Sequence, residues 1–204
     1  MSTVKSLDSA RVLEMFRATS AMLEGHFVLS SGLHSDRYFQ CALILERPDQ
    51  AEVLARETAR RAQAAGLPRF DIVIGPALGA VTWAYEVARA MGARAQFTER
   101  KDDTMQLRRG FQVQPGDSVM VVEDVFTTGG SAREVIEVLK SHGVTPKAVG
   151  CIVNRSGGNP FAADKLPMIS LADVEVKTWA PDDCPLCKAR VPLTKPGSRA
   201  KPAG

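Results

Sequence analysis

Long apolar runs are missing from this chain: the longest, such as CALIL and VMVV, fall far short of a membrane span. The N-terminal stretch MSTVKSLDSARVLEMF has no uninterrupted apolar centre, so it reads as an amphipathic helix and not as a signal peptide. A strong surplus of one charge is missing too. The net charge of +3 is too small to point to nucleic acid, and basic clusters with interleaved aromatics do not occur. No repeat or low-complexity run is present. What remains is a protein expected in the cytoplasm, with no nucleic-acid or membrane partner, and compatible with a site for a small anion.

Cysteine is scarce as well. Of four, Cys41 and Cys151 lie in apolar segments and read as reduced core residues. Cys184 and Cys187 form a single CPLC motif in a Pro-rich tail. A tetrahedral zinc site needs two more ligands, and no second CxxC or nearby histidine supplies them. A structural metal there would have ligands shared across a dimer. The plainer reading is a tail turn with two thiols.

The 204 residues, 45% hydrophobic and 24% charged, suffice for one well-packed domain. Residues 7 to 23 carry apolar positions at helical spacing. HFVL and RYFQCAL read as strands on either side of the loop SSGLHSD. A helix starts at Pro48 and stops near Gly66. DIVIG is a buried strand, followed by PALGAV and a helix to about Met91. RAQFTE and SVMVVED are further strands, GSAREVIEVLKSHG is a helix, and AVGCIVN is another strand. Alternating strands and helices predict an α/β fold with a mostly parallel central sheet flanked by helices. The core is expected over about 48–155, a small cap over about 1–47 and 156–190, and a flexible tail from about 191 to 204.

Ligands bind beyond the carboxyl ends of such strands. Three loops fall there: GPALGAV, EDVFTTGGS and NRSGGNPF. TTGGS offers backbone N–H groups and hydroxyls just before a helix, where an anion is favoured. It is neither a Walker loop nor GxGxxG. Glu123 and Asp124, costly to desolvate at a strand end, could take two neighbouring hydroxyls of a ribose. Phosphate and diol would then sit on one sugar phosphate.

VMVVEDVFTTGGSARE resembles the signature of the type I phosphoribosyltransferases. That resemblance implies binding of phosphoribosyl pyrophosphate (PRPP), with Glu123 and Asp124 on the ribose, Thr127, Thr128, Gly129, Gly130 and Ser131 around the 5′-phosphate, and Val125 and Phe126 also among the PRPP-binding residues. GPALGAV is similar to the pyrophosphate loop, placing Ala77, Leu78 and Gly79 against the diphosphate. GHFVLSSGLHSDRYFQC resembles the N-terminal segment of orotate phosphoribosyltransferases, with Ser31, Gly32 and Ser35 matching and Tyr38 and Phe39 against a flat pyrimidine. CIVNRSGG is similar to the segment whose arginine meets the base, here Arg155, with Thr127 also near it. A planar guanidinium suits a carboxylate such as that of orotate.

The implied reaction gives orotidine 5′-monophosphate and pyrophosphate, a step in pyrimidine biosynthesis. Arg100, Lys101 and Asp124 are the implied catalytic residues. Mg²⁺ is implied as cofactor, held mainly by PRPP with no protein side chain assigned to it, and a homodimer is implied because the cationic loop serves a neighbouring subunit. This chain departs from the pattern in places. Ser30 and Gly79 stand where related enzymes carry lysine, and RKDDTMQLRRG keeps Arg100 and Lys101 but lacks the second lysine and the histidine. Arg108 and Arg109 either restore that charge or lie on an exposed face. A purine phosphoribosyltransferase would share EDVFTTGGS but not SSGLHS. A non-enzymatic nucleotide-sensing relative would lose the cationic loop.

Overall fold

The computed structural model describes residues 7–29 and 31–196. Ser30 lies outside these residues, as does nearly all of the closing KPGSRAKPAG, for which a loose end was expected. The chain opens with α1 (Ser9–Ala18), capped by the Asp8 carboxylate accepting from the Arg11 N–H at 2.8 Å. It stops short of residue 23, because Ser20 takes a positive φ and Met22 and Leu23 enter a strand. That strand, β1 (Met22–Val28), pairs antiparallel with β2 (His34–Phe39). The expected strand through CAL is instead a short helix, α2 (Ala42–Leu45).

The core unit then alternates: α3 (Pro48–Ala64), β3 (Ile72–Pro76), α4 (Val81–Met91), β4 (Arg94–Lys101), β5 (Thr104–Leu107), β6 (Val119–Phe126), α5 (Gly130–Ser141), β7 (Ala148–Asn154) and β8 (Met168–Asp173). β9 (Thr178–Trp179) and α6 (Pro185–Lys188) follow. Six strands form one sheet in the order β5-β4-β3-β6-β7-β8, parallel except for the β4–β5 hairpin. β1, β2 and β9 form a second, three-stranded sheet that serves as the cap.

Period-two alternation explains why the central strands read as unbroken apolar runs. Ile72, Ile74, Val119, Val121, Val149 and Cys151 face one core together with α5. Val73, Met120, Val122, Ala148 and Ile152 face the other, together with α1, α3 and α4. A sheet covered on both faces buries every residue of its inner strands. All of β3 and β7 is buried accordingly.

Two boundaries differ from the sequence expectation. β8 belongs to the core sheet, pairing with β7 from Val149↔Met168 to Asn154↔Asp173, although residues 156–190 were assigned to the cap. The segment after 190 is held at its start: Val28 N–H donates to Thr194 O at 3.0 Å, and Thr194 N–H to His26 O at 2.8 Å. The cysteine reading changes as well. Cys41 and Cys151 are buried free thiols, as expected, but His26 and His34 lie beside Cys184 and Cys187 in the same chain. Folding, not sequence proximity, supplies those histidines.

The strand order reverses between β3 and β6, since β4 lies on one side of β3 and β6 on the other. At such a switch point the loops leaving two neighbouring strands diverge and open a crevice. Here those loops are GPALGAV and EDVFTTGGS.

Candidate functional site

A cavity of about 350 Å³ lies over the ends of β3 and β6, lined by Ala77, Leu78, Gly79, Arg100, Glu123, Asp124 and Ser131 among others. Residues expected to meet PRPP thus converge from three loops. The approach is close: a Cβ on Gly79 would lie 3.4 Å from an Asp124 carboxylate oxygen, so a side chain there would crowd the acid. Ala77 does not offer its N–H, which donates to Thr98 O at 2.7 Å. The N–H groups of Leu78 and Gly79 have no acceptor among the described residues and remain for a ligand.

The turn from β6 into α5 is shaped by what lies beneath it. Gly129 has φ +74°, and a Cβ there would meet the Phe161 ring at 2.7 Å. Both facts demand glycine. Phe161 is fully buried and packs edge-on against Phe126 with ring centroids 5.1 Å apart. Arg133 stacks over Phe161 and reaches Asp164 at 2.8 Å, fixing the floor of the loop. Above that floor Thr127 and Thr128 are exposed, and the N–H groups of Thr127, Thr128 and Gly129 have no acceptor among the described residues. No side chain caps α5 at Gly129. Free donors at a helix N-terminus form an anion cradle.

The two acids carry raised affinities for protons. Burial pushes Glu123 up to about 7, and the neighbouring Asp124 adds to the effect, while the Ser131 hydroxyl and the Ala132 N–H oppose it. Asp124 is also pushed above the usual carboxylate range by burial, against the pull of the Val125 N–H, which donates to it at 2.9 Å. Two carboxylates so placed are short of hydrogen-bond donors. A vicinal diol brings two.

Arg100 borders the cavity and is tied to Glu134 at 2.6 Å and to Asp103 O at 3.0 Å. Lys101 is exposed at the hairpin end and does not line this cavity. The cationic loop is largely an antiparallel hairpin of β4 and β5, with Arg100 opposite Met105. Arg108 and Arg109 bind Glu99 at 3.1 and 3.0 Å, so part of their charge is already offset.

A second cavity, about 670 Å³, opens beside Arg155 at the end of β7. Asn154, almost fully buried, ties this turn down: its side chain donates to Gly158 O and Asp173 and accepts from Ser156. Arg155 itself is half-buried with its affinity for the proton lowered by desolvation, an effect that the nearby Tyr38 phenol opposes. Tyr38 in turn is raised by burial, then by Asp124 and Cys41, and lowered by Arg155. The phenol is therefore within electrostatic reach of both Asp124 and Arg155.

Not every expected contact is available. Phe39 is buried in the core, edge-on to Phe16 at 5.8 Å, because adjacent strand residues point to opposite faces and Tyr38 takes the ligand side. The Phe126 side chain is likewise in the core, and its carbonyl accepts from Arg155 N–H at 2.9 Å. Val125 is packed partly against the core. Only the backbone of these two can serve a ligand. Phe161 and Asn154, which sequence reading passed over, hold the two loops in shape; the only sequence signal was their presence in CIVNRSGGNPF.

Comparison with known proteins decides the family. Residues 59–179 match the model of the phosphoribosyl transferase domain. The orotate phosphoribosyltransferase of Pelotomaculum thermopropionicum is 50% identical over 92% of this chain and 96% of its own length. The chain belongs to the orotate phosphoribosyltransferase family. The Thermotoga maritima orotate phosphoribosyltransferase is 47% identical over 92% of this chain and 98% of its own. Among solved structures, the orotate phosphoribosyltransferase from Aeropyrum pernix superposes with TM-score 0.64 at 29% identity, over 79% of this chain and 93% of that one. The Mycobacterium tuberculosis orotate phosphoribosyltransferase in complex with PRPP gives TM-score 0.62 at 26% identity, over 81% and 96%. Like its family, the protein is an enzyme, a pentosyltransferase with the type I phosphoribosyltransferase fold. No helix among the described residues is long and apolar enough to cross a membrane.

Proposed function

We infer that the two cavities are the sugar-phosphate and base halves of one orotate phosphoribosyltransferase site, which joins orotate to PRPP. The observation that carries the choice of base is Arg155: a half-buried guanidinium at a cavity, engaged in no ion pair among the described residues although Asp173 and Glu175 line the same cavity. A buried cation without a partner is costly, and a carboxylate-bearing pyrimidine supplies one. Tyr38 lies along the base.

In this reading the free N–H groups of Thr127, Thr128 and Gly129, with the Ser131 hydroxyl, hold the 5′-phosphate. Glu123 and Asp124 take the ribose hydroxyls, and Leu78 and Gly79 the diphosphate. The orotate ring nitrogen gives up its proton and forms its bond to the anomeric carbon as the bond to the diphosphate oxygen breaks, the electron pair leaving with that oxygen through an oxocarbenium-like state and the proton passing to the diphosphate or to solvent. No covalent nucleophile is needed. Arg100 stabilises the leaving diphosphate once it exchanges Glu134 for it. Asp124, beside Gly79, and Glu123 present the hard oxygen donors that suit Mg²⁺, which when bound, mainly through PRPP, supplies further charge compensation. Excluding water matters because water at the anomeric carbon would hydrolyse PRPP.

Lys101 is assigned to the diphosphate of a neighbouring subunit in a homodimer, which accounts for its exposure away from its own chain's cavity. The four free thiols agree with a reducing cytoplasm. The reading is tested by following substrate absorbance with PRPP and Mg²⁺. Turnover is expected with orotate and not with adenine, hypoxanthine or uracil; turnover with a purine in place of orotate would reassign the base. The shared site has its own check. Lys101→Ala lowers kcat more than it raises KM, and mixing it with Arg155→Ala, assayed at orotate far below the raised KM of the latter, restores about a quarter of wild-type activity through mixed dimers. Mixtures as inactive as their components would return Lys101 to its own site or remove it from the reaction.

A further inference from the structure

Four side chains that the transfer reaction does not use meet where β1 and β2 touch the C-terminal segment. His26 Nε2 and His34 Nδ1 are 2.9 Å apart. Cys184 Sγ lies 3.4 Å from His26 Nε2, and Cys187 Sγ lies 3.7 Å from the same atom and 3.3 Å from His34 Nδ1. The four atoms all fall within 4.8 Å of one another. We propose that His26, His34, Cys184 and Cys187 bind one structural zinc ion.

The spacing is what an ion would impose. Bonds of about 2.0–2.1 Å to nitrogen and 2.3 Å to sulfur, arranged tetrahedrally, separate ligand atoms by roughly 3.3–3.8 Å. Nitrogen–sulfur distances of 3.3, 3.4 and 3.7 Å already match that frame, and the two nitrogens at 2.9 Å need part by only a few tenths of an ångström to join it. Two imidazoles and two thiols are a borderline-soft donor set that selects zinc over magnesium or calcium. All four positions are filled by protein, so the site is closed and structural, with no place for a substrate.

A plain hydrogen-bonded cluster explains the arrangement less well. His26 Nδ1 lies 2.8 Å from the Val191 carbonyl, which can only accept, so Nδ1 carries the proton and Nε2 presents a lone pair. His34 Nδ1 and both sulfurs crowd round that one lone pair, which can take only one good hydrogen bond. A central cation instead uses a lone pair from each of the four. The Nδ1–H to carbonyl contact is also the outer contact that commonly orients a metal-binding histidine. Three of the four residues are buried: His26 at 3%, His34 at 5% and Cys184 at 0% exposure. On binding, Cys184 and Cys187 each release a proton to solvent, both histidines stay neutral, and two thiolates balance the dication.

The ion would rivet the C-terminal segment to β1 and β2. Cys184 follows a tight turn at Pro181–Asp183 and Cys187 lies within α6, while His34 is four residues from Tyr38 on the same strand. Zinc thereby steadies the strand that carries Tyr38 without touching substrate.

The test measures metal in the full-length protein. After equilibration with excess Zn²⁺ under reducing conditions and desalting, elemental analysis is expected to find about one zinc per chain. Replacement by Co²⁺ is expected to give the visible bands of a tetrahedral ion and a thiolate charge-transfer band in the near ultraviolet. Cys184→Ser/Cys187→Ser and His26→Gln are expected to retain less than about a tenth of the wild-type zinc. Wild-type protein that retains less than that, a Co²⁺ spectrum without the thiolate band, or a cysteine double variant that retains as much zinc as wild type would each overturn the assignment. The wild-type measurements need no variant to fold, and none of the readouts depends on transferase activity.

Discussion

Glu123→Gln combined with Asp124→Asn is expected to raise the melting temperature of the ligand-free protein while lowering its affinity for PRPP about a hundredfold or more. Both effects have one cause. Burial and mutual repulsion hold Glu123 at about 7, against an ordinary 4.5. The folded state therefore binds this proton more tightly than the unfolded state does. Below about pH 4.5 the group is protonated in both states and costs nothing; the penalty grows as pH rises towards about 7 and is constant above it. At ~1.4 kcal/mol per unit the full penalty is about 3 kcal/mol, from which the lost contacts of the carboxylate must be subtracted. A gain of a few degrees is expected at pH 8, shrinking as the pH is lowered and vanishing by about pH 4. Calorimetric titration with PRPP gives the other half: two charge-assisted acceptors for ribose hydroxyls are gone. Unchanged affinity would remove the acid pair from the ribose.

Arg155→Ala is expected to lower orotate kcat/KM roughly ten- to a hundredfold, chiefly through KM, and to leave PRPP affinity nearly intact. The two ligands share the crevice but not their partners. Arg155 borders the larger cavity at the end of β7, whereas the phosphate donors sit on the β3 and β6 loops. Arg155→Lys recovers only part of the loss, because an ammonium keeps the charge without the planar fork. Orotate kinetics untouched by Arg155→Ala would remove the chief physical support for this base while leaving phosphoribosyl transfer in place.

What sequence made legible follows from how local each signal is. β3, β6 and β7 announce themselves because burial on both faces requires uninterrupted apolar residues, and Glu123-Asp124 followed by TTGGS stands out against that background. β5, at four residues, is too short to show a period, and β8 is an edge strand whose apolar run is broken by Ser170 and ended by Asp173. Phe39 was misplaced although alternation was available as a guide: of two adjacent aromatics in one strand, only one can face the ligand. Phe161 escaped notice because its task is to lie under Gly129, a relation made only by the return of the chain after β7. The histidine–cysteine cluster is the extreme case, its partners His26 and Cys184 being 158 positions apart.

The pairing of β2 with β9 sets an order of events during synthesis. Ser35 meets Thr178, and the Ser35 hydroxyl donates to Lys177 O at 3.0 Å, bridging 142 positions. A ribosome has therefore made the acid pair and the TTGGS turn well before it makes the strand that completes the sheet carrying Tyr38. Contacts this distant are slow to form, since the intervening chain must be ordered or looped out first. The nascent protein acquires the means to hold a sugar phosphate earlier than the means to choose a base, and selectivity arrives with its last few dozen residues.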